Sequence, residues 1–543
     1  LMDSLDRSAK TRRTLYQIGI TIAIACAAMW LAVSSLRVSR ADAAVTPKQS
    51  YLKAQAVLDR FNDPIVITGT RFPALVGVPL NELVAYAYRG GEWTPIPFQI
   101  DEVNISGTYV THDDGLLGGR DELVFMGGDA GESAGTTNWP IDAAARLNPR
   151  YAITVTDPLS TSQRAWAYLY RSPTLARSTD NYITWTYATQ TASAMSYTAA
   201  FSPTSFVGLS DLSINGRNVD ILDRQKLRLA TLFTTLNEET IVTLLGPATI
   251  TLPVAGPVRA ATNSGDLRAA FYGSRLDFDV TFNLGALPLT VNSIRTSFDW
   301  ISPTISGIRN YYDSNTPGGV AIDGVPDAIS TTPRINWFQV NGDAVGPGGL
   351  VMAIPRLNPQ GGTVTTYYKD NGAIDATDTG DKRSFGDAGP FINNPGTIVS
   401  LTLVSYILPP GADTNVGAAY YARATNPLLA SAAQQNYPFG PPITVTVTGA
   451  TVTHHDDPQT YVANVNPTTV TLPMTYVWQA TDHSPITVAG DLSSSIIFTW
   501  TTYGLKDVSV TAYNIYGLAS SDPLPVLVGR SVFLPLILKD ASF

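Results

Sequence analysis

The amino-acid sequence predicts an all-β protein made of β-sandwiches, preceded by one N-terminal transmembrane helix. Runs rich in Val, Ile, Thr and Tyr alternate with turns supplied by 43 Gly and 37 Pro in 543 residues, which is typical of many short strands. Hydrophobic residues make up 44% of the chain and charged residues 15%, which argues against a disordered protein. Beyond residue 60 no stretch has the 3.6-residue periodicity of a long amphipathic helix.

The first element is an uncharged run from Thr14 to Leu36. Its 23 residues exceed the roughly 20 apolar residues that span a bilayer as a helix. Basic residues precede the run, which places the N-terminus in the cytoplasm and the bulk of the chain outside. These residues are Arg7, Lys10, Arg12 and Arg13. The sequence therefore predicts a membrane contact through this run and a single-pass location in the cell membrane.

Three interpretations of the run stay open. It is an uncleaved signal-anchor, or it is a signal peptide removed after Ala43. The second interpretation follows from Ala41-Asp42-Ala43, which fits the small-x-small cleavage rule and would leave a secreted protein. In the third, Cys26 is the lipidated residue of a lipoprotein. Each interpretation exports the rest of the chain.

Charge and motifs limit the partners. The net charge is −9, and residues 1–43 hold six basic against three acidic residues, so the exported remainder is more acidic still. This argues against nucleic acid, which needs clustered Lys and Arg to bind phosphates. The sequence contains no phosphate loop or dinucleotide fingerprint, so no nucleotide is expected. Cys26 is the single cysteine, so the exported part has no disulfide.

The strand pattern predicts three exported domains. They are a β domain at 61–180, a large β-sandwich domain at 181–440 and a smaller sandwich at 441–530. A short helix or stalk at 44–60 precedes them. An apolar C-terminal tail at 531–543 follows and is too short to span a membrane.

Three local features accompany this division. The Pro-rich stretch at 435–442 predicts the last domain boundary. The segment TIVTLLG at 240–246 is predicted as a strand. Residues 428–435 are predicted as one short turn of helix.

The last domain carries a recognisable pattern. Its turns come roughly every 10–15 residues, as in an immunoglobulin-like sandwich. The stretches TYVWQ at 475–479 and YGLKDVSVTAYNIYG at 503–517 resemble the PKD-type domain, an immunoglobulin-like module of extracellular proteins. Trp478 stands where that family has its core Trp. Val508 and Val510 alternate toward one face, as a strand requires.

Residues 61–440 carry a second resemblance. The stretch P-x-P-x-Q-x-D-E at 95–102 is followed by D-E-L-V-F-M at 121–126. This pair of motifs is similar to stretches in uncharacterised bacterial exported surface proteins. The resemblance implies a location at the cell surface and no particular activity.

Two acidic, Gly-rich loops are candidate Ca²⁺ sites, because calcium prefers about six to eight oxygen ligands on a flexible turn. The denser loop crowds carboxylates that repel one another unless solvated or neutralised by an ion. Its candidate ligands are Asp370, Asn371, Asp375, Asp378 and Asp381, with Asp387 nearby. The candidate ligands in the other loop are Asp313, Asn315, Asp323 and Asp327. A solvated turn is the alternative for both loops, and Lys382 and Arg383 offer partial charge compensation in the first.

Two further metal candidates are weaker. Asp113, Asp114, Asp121 and Glu122 form a third acidic group. The run from His454 to Asp457 (HHDD) could hold a transition metal, although adjacent residues on an extended chain point apart.

The sequence leans against an enzyme without excluding one. The chain has four histidines, and none lies near a G-x-S-x-G nucleophile motif. A pair of catalytic carboxylates could lie anywhere among 44 acidic residues. Six Trp side chains could form sugar-stacking platforms, but core packing is more usual for Trp in a sandwich. They are Trp93, Trp139, Trp166, Trp185, Trp300 and Trp337.

These observations favour a membrane-anchored extracytoplasmic bacterial surface protein with a structural or binding role, possessing protein partners at the cell surface. An extracellular carbohydrate-active enzyme or carbohydrate-binding protein is the first alternative. An accessory subunit of a membrane protein complex is the second.

Overall fold

The computed structural model describes residues 57–530, apart from 112–113, 202–207, 246–249, 264, 288–289, 344–345, 413–414 and 439. Strands make up 51% of the structure and helices 8%, which confirms the all-β prediction. In the described part of the chain, no helix has both the length and the apolar character needed to cross a bilayer. The run from Thr14 to Leu36 and the tail at 531–543 lie outside that part, as does most of the stalk.

The first β region contains seven strands. They are β1 (Pro64–Thr68), β2 (Leu83–Arg89), β3 (Glu92–Pro95), β4 (Gln99–Asp101), β5 (Glu122–Met126), β6 (Arg150–Asp157) and β7 (Ser160–Arg171). Strands β1, β5 and β4 form an antiparallel sheet in that order. Short 3-10 turns occur at Gly69–Arg71, Pro73–Leu75, Leu80–Glu82, Gly127–Asp129 and, later in the chain, Leu284–Ala286. The core of this region holds Phe72, Phe125 and Tyr151.

The second β region contains nineteen strands among its described residues. They are β8 (Ile183–Thr186), β9 (Thr191–Ala194), β10 (Tyr197–Phe201), β11 (Leu209–Ile214), β12 (Leu222–Thr231), β13 (Thr235–Asn237), β14 (Val254–Ala255), β15 (Arg259–Thr262), β16 (Leu267–Tyr272), β17 (Arg275–Asn283), β18 (Val291–Trp300), β19 (Ile308–Asp313), β20 (Val320–Ala321), β21 (Trp337–Gly342), β22 (Gly349–Asn358), β23 (Thr363–Asn371), β24 (Ser384–Asn393), β25 (Ile398–Leu408) and β26 (Leu429–Gln435). Across both regions, the α-helices among the described residues are α1 (Ala143–Leu147), α2 (Glu238–Leu245), α3 (Pro303–Ser306) and α4 (Gly417–Thr425).

Two large sheets form the main sandwich. One has five strands in the order β13-β12-β18-β24-β23. The other has nine, in the order β14-β15-β16-β17-β25-β22-β21-β19-β20. Apolar side chains that alternate along β17 and β25 face those of β12, β18 and β24 and form one core. On the outer face of the nine-stranded sheet, Val404 and Tyr406 of β25 pack against helix α4, whereas the outward positions of β17 include Asp277 and Asp279.

One smaller sheet completes the second region, and the region's last strand joins a sheet of the first region. Strands β11, β10, β9 and β8 form a meander, and β26 adds to the edge of β6 in the order β26-β6-β7-β2-β3. Residues 428–435 were predicted as a helical turn, and the strand β26 corrects that prediction. Ala430 and Ala432 pack on the first core from this strand, and this pairing with a distant strand decides its conformation.

A second correction concerns the predicted strand at 240–246: residues 240–245 lie in helix α2, and residue 246 lies outside the described residues. Asn237 precedes the helix, and its Oδ1 accepts a hydrogen bond from the Thr240 backbone N–H at 2.7 Å. Glu238 and Glu239 occupy the first turn. An Asn cap followed by acidic residues favours a helix start over a strand, and this signal outweighs the β-branched residues that follow.

The C-terminal region is an immunoglobulin-like sandwich. Its strands are β27 (Thr444–Thr448), β28 (Val452–His454), β29 (Gln459–Asn466), β30 (Met474–Ala480), β31 (Ile486–Gly490), β32 (Ser493–Phe498), β33 (Gly504–Asn514), β34 (Gly517–Ser520) and β35 (Leu524–Gly529). One sheet has the order β27-β29-β32 and the other β28-β35-β33-β30-β31, with β34 paired to β33. Trp478 and Trp500 fill the core between them.

The described residues divide into two compact units. The first contains residues 57–133 and 151–433, and the second contains 134–150 and 434–530. The first unit holds a large apolar core formed by residues between 183 and 407, and a smaller one formed by residues between 58 and 169 together with Leu428. The finer boundaries at 180 and 440 stay predictions.

Candidate functional site

A cleft of about 600 Å³ lies on the outer face of the nine-stranded sheet. Strands β16 and β17 supply one wall, and the residues around Thr70 and Tyr109 from the first β region supply the other. Asp277 and Asp279 reach it because outward positions alternate with the core positions of β17. The cleft is lined by both signs of charge.

Arg259, at the start of β15, is the centre of an ion-pair network that reaches the cleft through Glu122. We call this site the Arg259 cleft. Its side chain is 3% exposed. The guanidinium donates to Asp101 Oδ2 at 2.8 Å and to Glu122 Oε2 at 2.6 Å. The Tyr109 hydroxyl accepts from Arg259 at 2.9 Å and donates to Glu122 at 2.6 Å. A buried guanidinium persists only with such partners, so these side chains are held in fixed positions.

The two sequence motifs build this network. Gln99 of the first motif donates through Nε2 to Asp101 Oδ1 at 2.7 Å, and its Oε1 accepts from the backbone N–H groups of Val258 and Arg259, both at 2.9 Å. Asp121 of the second motif accepts from the Gly118 backbone N–H at 2.6 Å. The motifs therefore position Glu122 and fasten the first β region to β15.

A second buried network lies beside the first. Asp63, buried, accepts from Arg60 at 2.7 Å, from Arg275 at 2.5 Å and from the Tyr406 hydroxyl at 2.9 Å. Although burial acts in the opposite direction, Arg275 and Arg60 lower the pKa of Asp63. Arg275 also pairs with Asp277 at 2.7 Å. This arrangement fixes the base of the cleft.

Two of the three carboxylates that line the cleft, Asp277 and Glu122, differ in environment. The Asp277 side chain is 27% exposed, and burial raises its pKa even though Arg275 opposes the shift. The Glu122 side chain is 24% exposed and is bound to Arg259. With Arg120, Arg268 and Asn263 also lining the cleft, the site offers rigid donors and acceptors to a polar ligand.

The denser predicted calcium loop lies elsewhere, on the outer face of the five-stranded sheet. Its carboxylates bind protein groups. Asp378 accepts from Lys226 at 2.8 Å and from Arg228 at 2.7 Å. Asp375 is exposed, and the Thr377 hydrogen bonds and Lys369 lower its pKa to about 2. Asp381 accepts from the Arg383 backbone N–H at 2.7 Å and Asn371 from that of Ala373 at 2.9 Å.

Lys226 is the unexpected centre beneath this loop. Its side chain is fully buried and lies 2.5 Å from Asp299 Oδ2 and 3.9 Å from Asp387 Oδ2. Asp387 faces Asp299 across strands β24 and β18. Burial and the neighbouring Asp387 raise the pKa of Asp299 well above its usual range. Lys226 therefore joins Asp299 of the sheet to Asp378 of the loop.

The second predicted loop meets the first through Asp370. This buried carboxylate accepts from the backbone N–H groups of Asp323 at 2.9 Å and Gly324 at 3.0 Å. A third bond comes from Gly386 at 3.3 Å. Gly386 has φ +62°, and a Cβ there would lie 2.7 Å from Ile322 Cδ1. This left-handed glycine lets the strand approach Asp370.

The remaining ligands of the second loop are separate from that junction. Asp313 is buried and accepts from the Tyr311 hydroxyl at 2.9 Å and the Asn315 backbone N–H at 2.8 Å. Asp327 is exposed overall, and the partial desolvation of its carboxyl group, together with the nearby charge of Asp323, raises its pKa. Among the described residues, no three His, Cys, Asp or Glu side chains are grouped as metal ligands. Calcium binding stays a prediction.

The other candidates are dispersed. Asp114 and Asp121 bind backbone groups of their own turns, and Asp113 lies outside the described residues. His455 binds Asp456 at 2.7 Å and the Thr501 carbonyl oxygen at 2.8 Å.

Four of the six Trp side chains named above are buried. Trp185 and Trp300 are at most 2% exposed, and Trp139 and Trp337 are 5% exposed. Trp93 and Trp166 are partly exposed. None of the six is among the described residues that line the cleft.

Sequence reasoning missed Arg259, Lys226 and Arg275. Each is a basic residue within a strand. The sequence pattern that could have identified it is a charged residue inside a strand of alternating apolar residues, as in RLDFDV at 275–280. Nothing local identifies which carboxylate such a residue meets, because the partners lie more than 130 residues away for Arg259 and more than 200 for Arg275 with Asp63.

No protein-family model and no curated protein matches the chain. Among solved structures, the PKD domain of an M14-like peptidase from Thermoplasmatales archaeon SCGC AB-540-F20 is 20% identical over 17% of this chain and 97% of that chain, with a TM-score of 0.15. The D0-D1 domain of Intimin is 13% identical over 41% and 99%, with a TM-score of 0.13. The CARDB domain of a Pyrococcus furiosus protein is 15% identical over 16% and 95%, with a TM-score of 0.12. None of these similarities indicates what this protein does.

Proposed function

We propose that this chain is a membrane-anchored extracytoplasmic bacterial surface protein with a binding role, and that the Arg259 cleft is its binding site. One observation carries the binding role: a 600 Å³ cleft in which Glu122 and Asp277 are fixed by ion pairs with the buried Arg259 and Arg275. Pre-organised polar groups bind a ligand without the cost of ordering them first.

The location rests on the amino-acid sequence. The uncharged run from Thr14 to Leu36, with basic residues before it, supports an anchor. The resemblance of residues 443–528 to the PKD-type domain supports an extracellular setting. In that setting we also propose that the chain has protein partners at the cell surface and acts as a subunit of a membrane complex. Intact mass of the protein purified natively from membranes tests the anchor. Retention of residues 1–43 supports it, and a chain that begins at Ala44 contradicts it.

Carbohydrate is the ligand class that suits the cleft best. Sugar hydroxyls donate and accept together, and the cleft mixes acceptors such as Glu122 and Asp279 with donors such as Arg268 and Asn263. Its net charge is nearly balanced, which favours a neutral polyol over an anion.

A polysaccharide binding screen with the purified full chain tests the site. Arg268→Ala removes an exposed lining side chain that the buried networks do not use, and we expect it to weaken binding about tenfold. Arg309→Ala, an exposed residue outside the cleft with an ion pair to Asp343, is the matched control. Equal binding by both variants, or no binding by the natural chain, would contradict the assignment.

A second candidate is hydrolysis of the bound polysaccharide. It is favoured by two carboxylates at one cleft, one of which, Asp277, has a raised pKa as a general acid requires. Release of reducing sugar by the natural chain, with its loss in Asp277→Asn, would establish an enzyme. Binding without release would leave the protein a binder.

A further inference from the structure

The two sheets of the main sandwich leave an apolar cavity of about 290 Å³ between them. One wall comes from β12, β18 and β24, and the other from β17, β22 and β25. Strand β17 contributes Leu276, Phe278, Val280 and Phe282, which are its inward positions. The cavity and the Arg259 cleft therefore lie on opposite faces of the same strand.

The chemistry of the lining selects an apolar occupant. Among the described lining residues, the polar side chains are Gln225, Thr296 and Ser405, and none is charged. Protein interiors normally pack without voids larger than a water molecule. Water needs two to four polar partners to fill such a space, whereas apolar cavities stay dry and accept apolar molecules.

The dimensions select a linear occupant. The lining runs from Leu276 to Phe282 along β17, roughly 20 Å at about 3.3 Å per residue. An elongated apolar space of this length suits an extended hydrocarbon chain better than a compact ligand.

One end of the sandwich offers an apolar approach to the cavity. Strand β17 ends just after Phe282, and β25 begins next to Val399, both of which line the cavity. The turn between β12 and β13 lies at the same end, because β12 finishes opposite the start of β18. At this turn Leu232 is 73% and Phe233 91% exposed.

The turn holds these two side chains outward by its own hydrogen bonds. The Thr231 side-chain oxygen accepts from the backbone N–H groups of Phe233 at 3.2 Å and Thr234 at 3.1 Å. Two large apolar side chains are therefore in contact with solvent at this end of the sandwich.

We propose that the cavity binds one fatty-acyl chain, with the polar head left in water at the end marked by Leu232 and Phe233. Burying a charged head group without a partner is unfavourable, and none of the described lining residues is charged. The acyl chain therefore enters the cavity while the head group stays in water. This site is independent of the carbohydrate proposal, because it uses the opposite face of β17.

The test uses the full-length protein, stripped of lipid in detergent and titrated with 11-(dansylamino)undecanoic acid. We expect saturable binding at one probe per chain and a blue-shifted emission from an apolar environment. Val280→Phe fills the cavity and is expected to weaken binding about tenfold or more. Thr281→Phe, on the outer face of the same strand, is the matched control and should leave affinity within about twofold.

Leu401→Phe gives an independent filling variant on β25, so a folding failure of one variant does not end the test. Absence of saturable binding to the natural chain, or equal weakening by Thr281→Phe, would overturn the proposal.

A second arm separates the lipid source. Phosphatidylcholine vesicles with a fluorescent acyl chain replace the free probe. Transfer from vesicles that falls in Leu232→Ser/Phe233→Ser, with unchanged affinity for the free probe, assigns a membrane lipid. Binding of the free probe without transfer assigns a free fatty acid. Failure of both arms overturns the site.

Discussion

Asp129 is a buried carboxyl group whose protonation is coupled to folding. It accepts from the Tyr182 hydroxyl at 2.6 Å and from the Met126 backbone N–H at 3.3 Å. Burial raises its pKa to about 7, although Tyr182 and Arg89 act in the opposite direction. In the unfolded chain the pKa is near 3.8. At pH values between these two pKa values, the folded state therefore keeps a proton on Asp129 that the unfolded state has lost.

The free energy of unfolding should fall as pH rises from about 4 to about 7. A carboxyl group whose pKa is raised by folding contributes its full stabilisation at a pH below its pKa in the unfolded state, and it loses this stabilisation as the pH rises to its pKa in the folded state. The change is on the order of a few kcal/mol. Asp129→Asn, which cannot ionise, should make this slope shallower in urea unfolding measured at several pH values, because the contribution of Asp129 is lost while other carboxyl groups with raised pKa values, such as Asp277, remain. Asp180→Asn is the nearby control and should retain it. An identical slope in both variants would show that another group titrates.

Buried and exposed ion pairs should differ sharply in their contribution to stability. Arg259→Leu leaves Asp101 and Glu122 without their partner at a buried site, and we expect a loss of roughly 3–5 kcal/mol. Arg171→Ala breaks the more exposed pair with Glu82 and should cost about 0–1 kcal/mol. Thermal unfolding of the two variants measures the difference. A small loss in Arg259→Leu would mean that the network does not hold the cleft.

At the scale of elements, strand β17 organises both proposed sites. Its two-residue alternation sends Asp277 and Asp279 to the cleft and Phe278 and Val280 to the cavity.

The loop that follows β23 should depend on Lys226 for its order. Lys226→Met removes the cation that joins Asp299 and Asp378, so the loop loses its attachment to the sheet. We expect faster trypsin cleavage after the exposed Lys382 in this variant. Lys369→Met is the control, because its pair with Asp375 is partly exposed and contributes little.

The same digestion tests calcium. Repeating it with CaCl₂ and with EDTA shows whether the ion orders the loop that holds Asp375 and Asp381. Slower cleavage with calcium in the natural chain would support the predicted site. Equal rates would indicate that Lys226 and Arg228 already neutralise the loop.

At the scale of the whole molecule, residues 441–530 should fold alone. All buried members of the C-terminal core lie between Val445 and Val528, including Trp478 and Trp500. The isolated segment should therefore unfold cooperatively in urea, with a shift of Trp fluorescence. Trp478→Ala should lower its stability by about 3–5 kcal/mol. A non-cooperative transition in the natural segment would show that the core needs residues from elsewhere.

The amino-acid sequence determined the fold class and much of the C-terminal sandwich. Strands alternate with a period of two, and turns need Gly, Pro and Asn, so both are written in neighbouring residues. Val508, Val510 and Trp478 are buried as their positions predict. The motifs at 95–102 and 121–126 were also visible, although their role was not.

Tertiary structure alone decided the sites. Lys226 and Arg259 meet carboxylates that are distant in sequence, such as Asp378 and Asp101, and no local pattern encodes those encounters. The predicted calcium loops illustrate the same limit: their carboxylates could be counted, but the cations and backbone N–H groups that face them come from other strands. The cavity is also invisible in sequence, since an apolar alternation describes a strand equally well whether the opposite sheet fills the space or leaves it open.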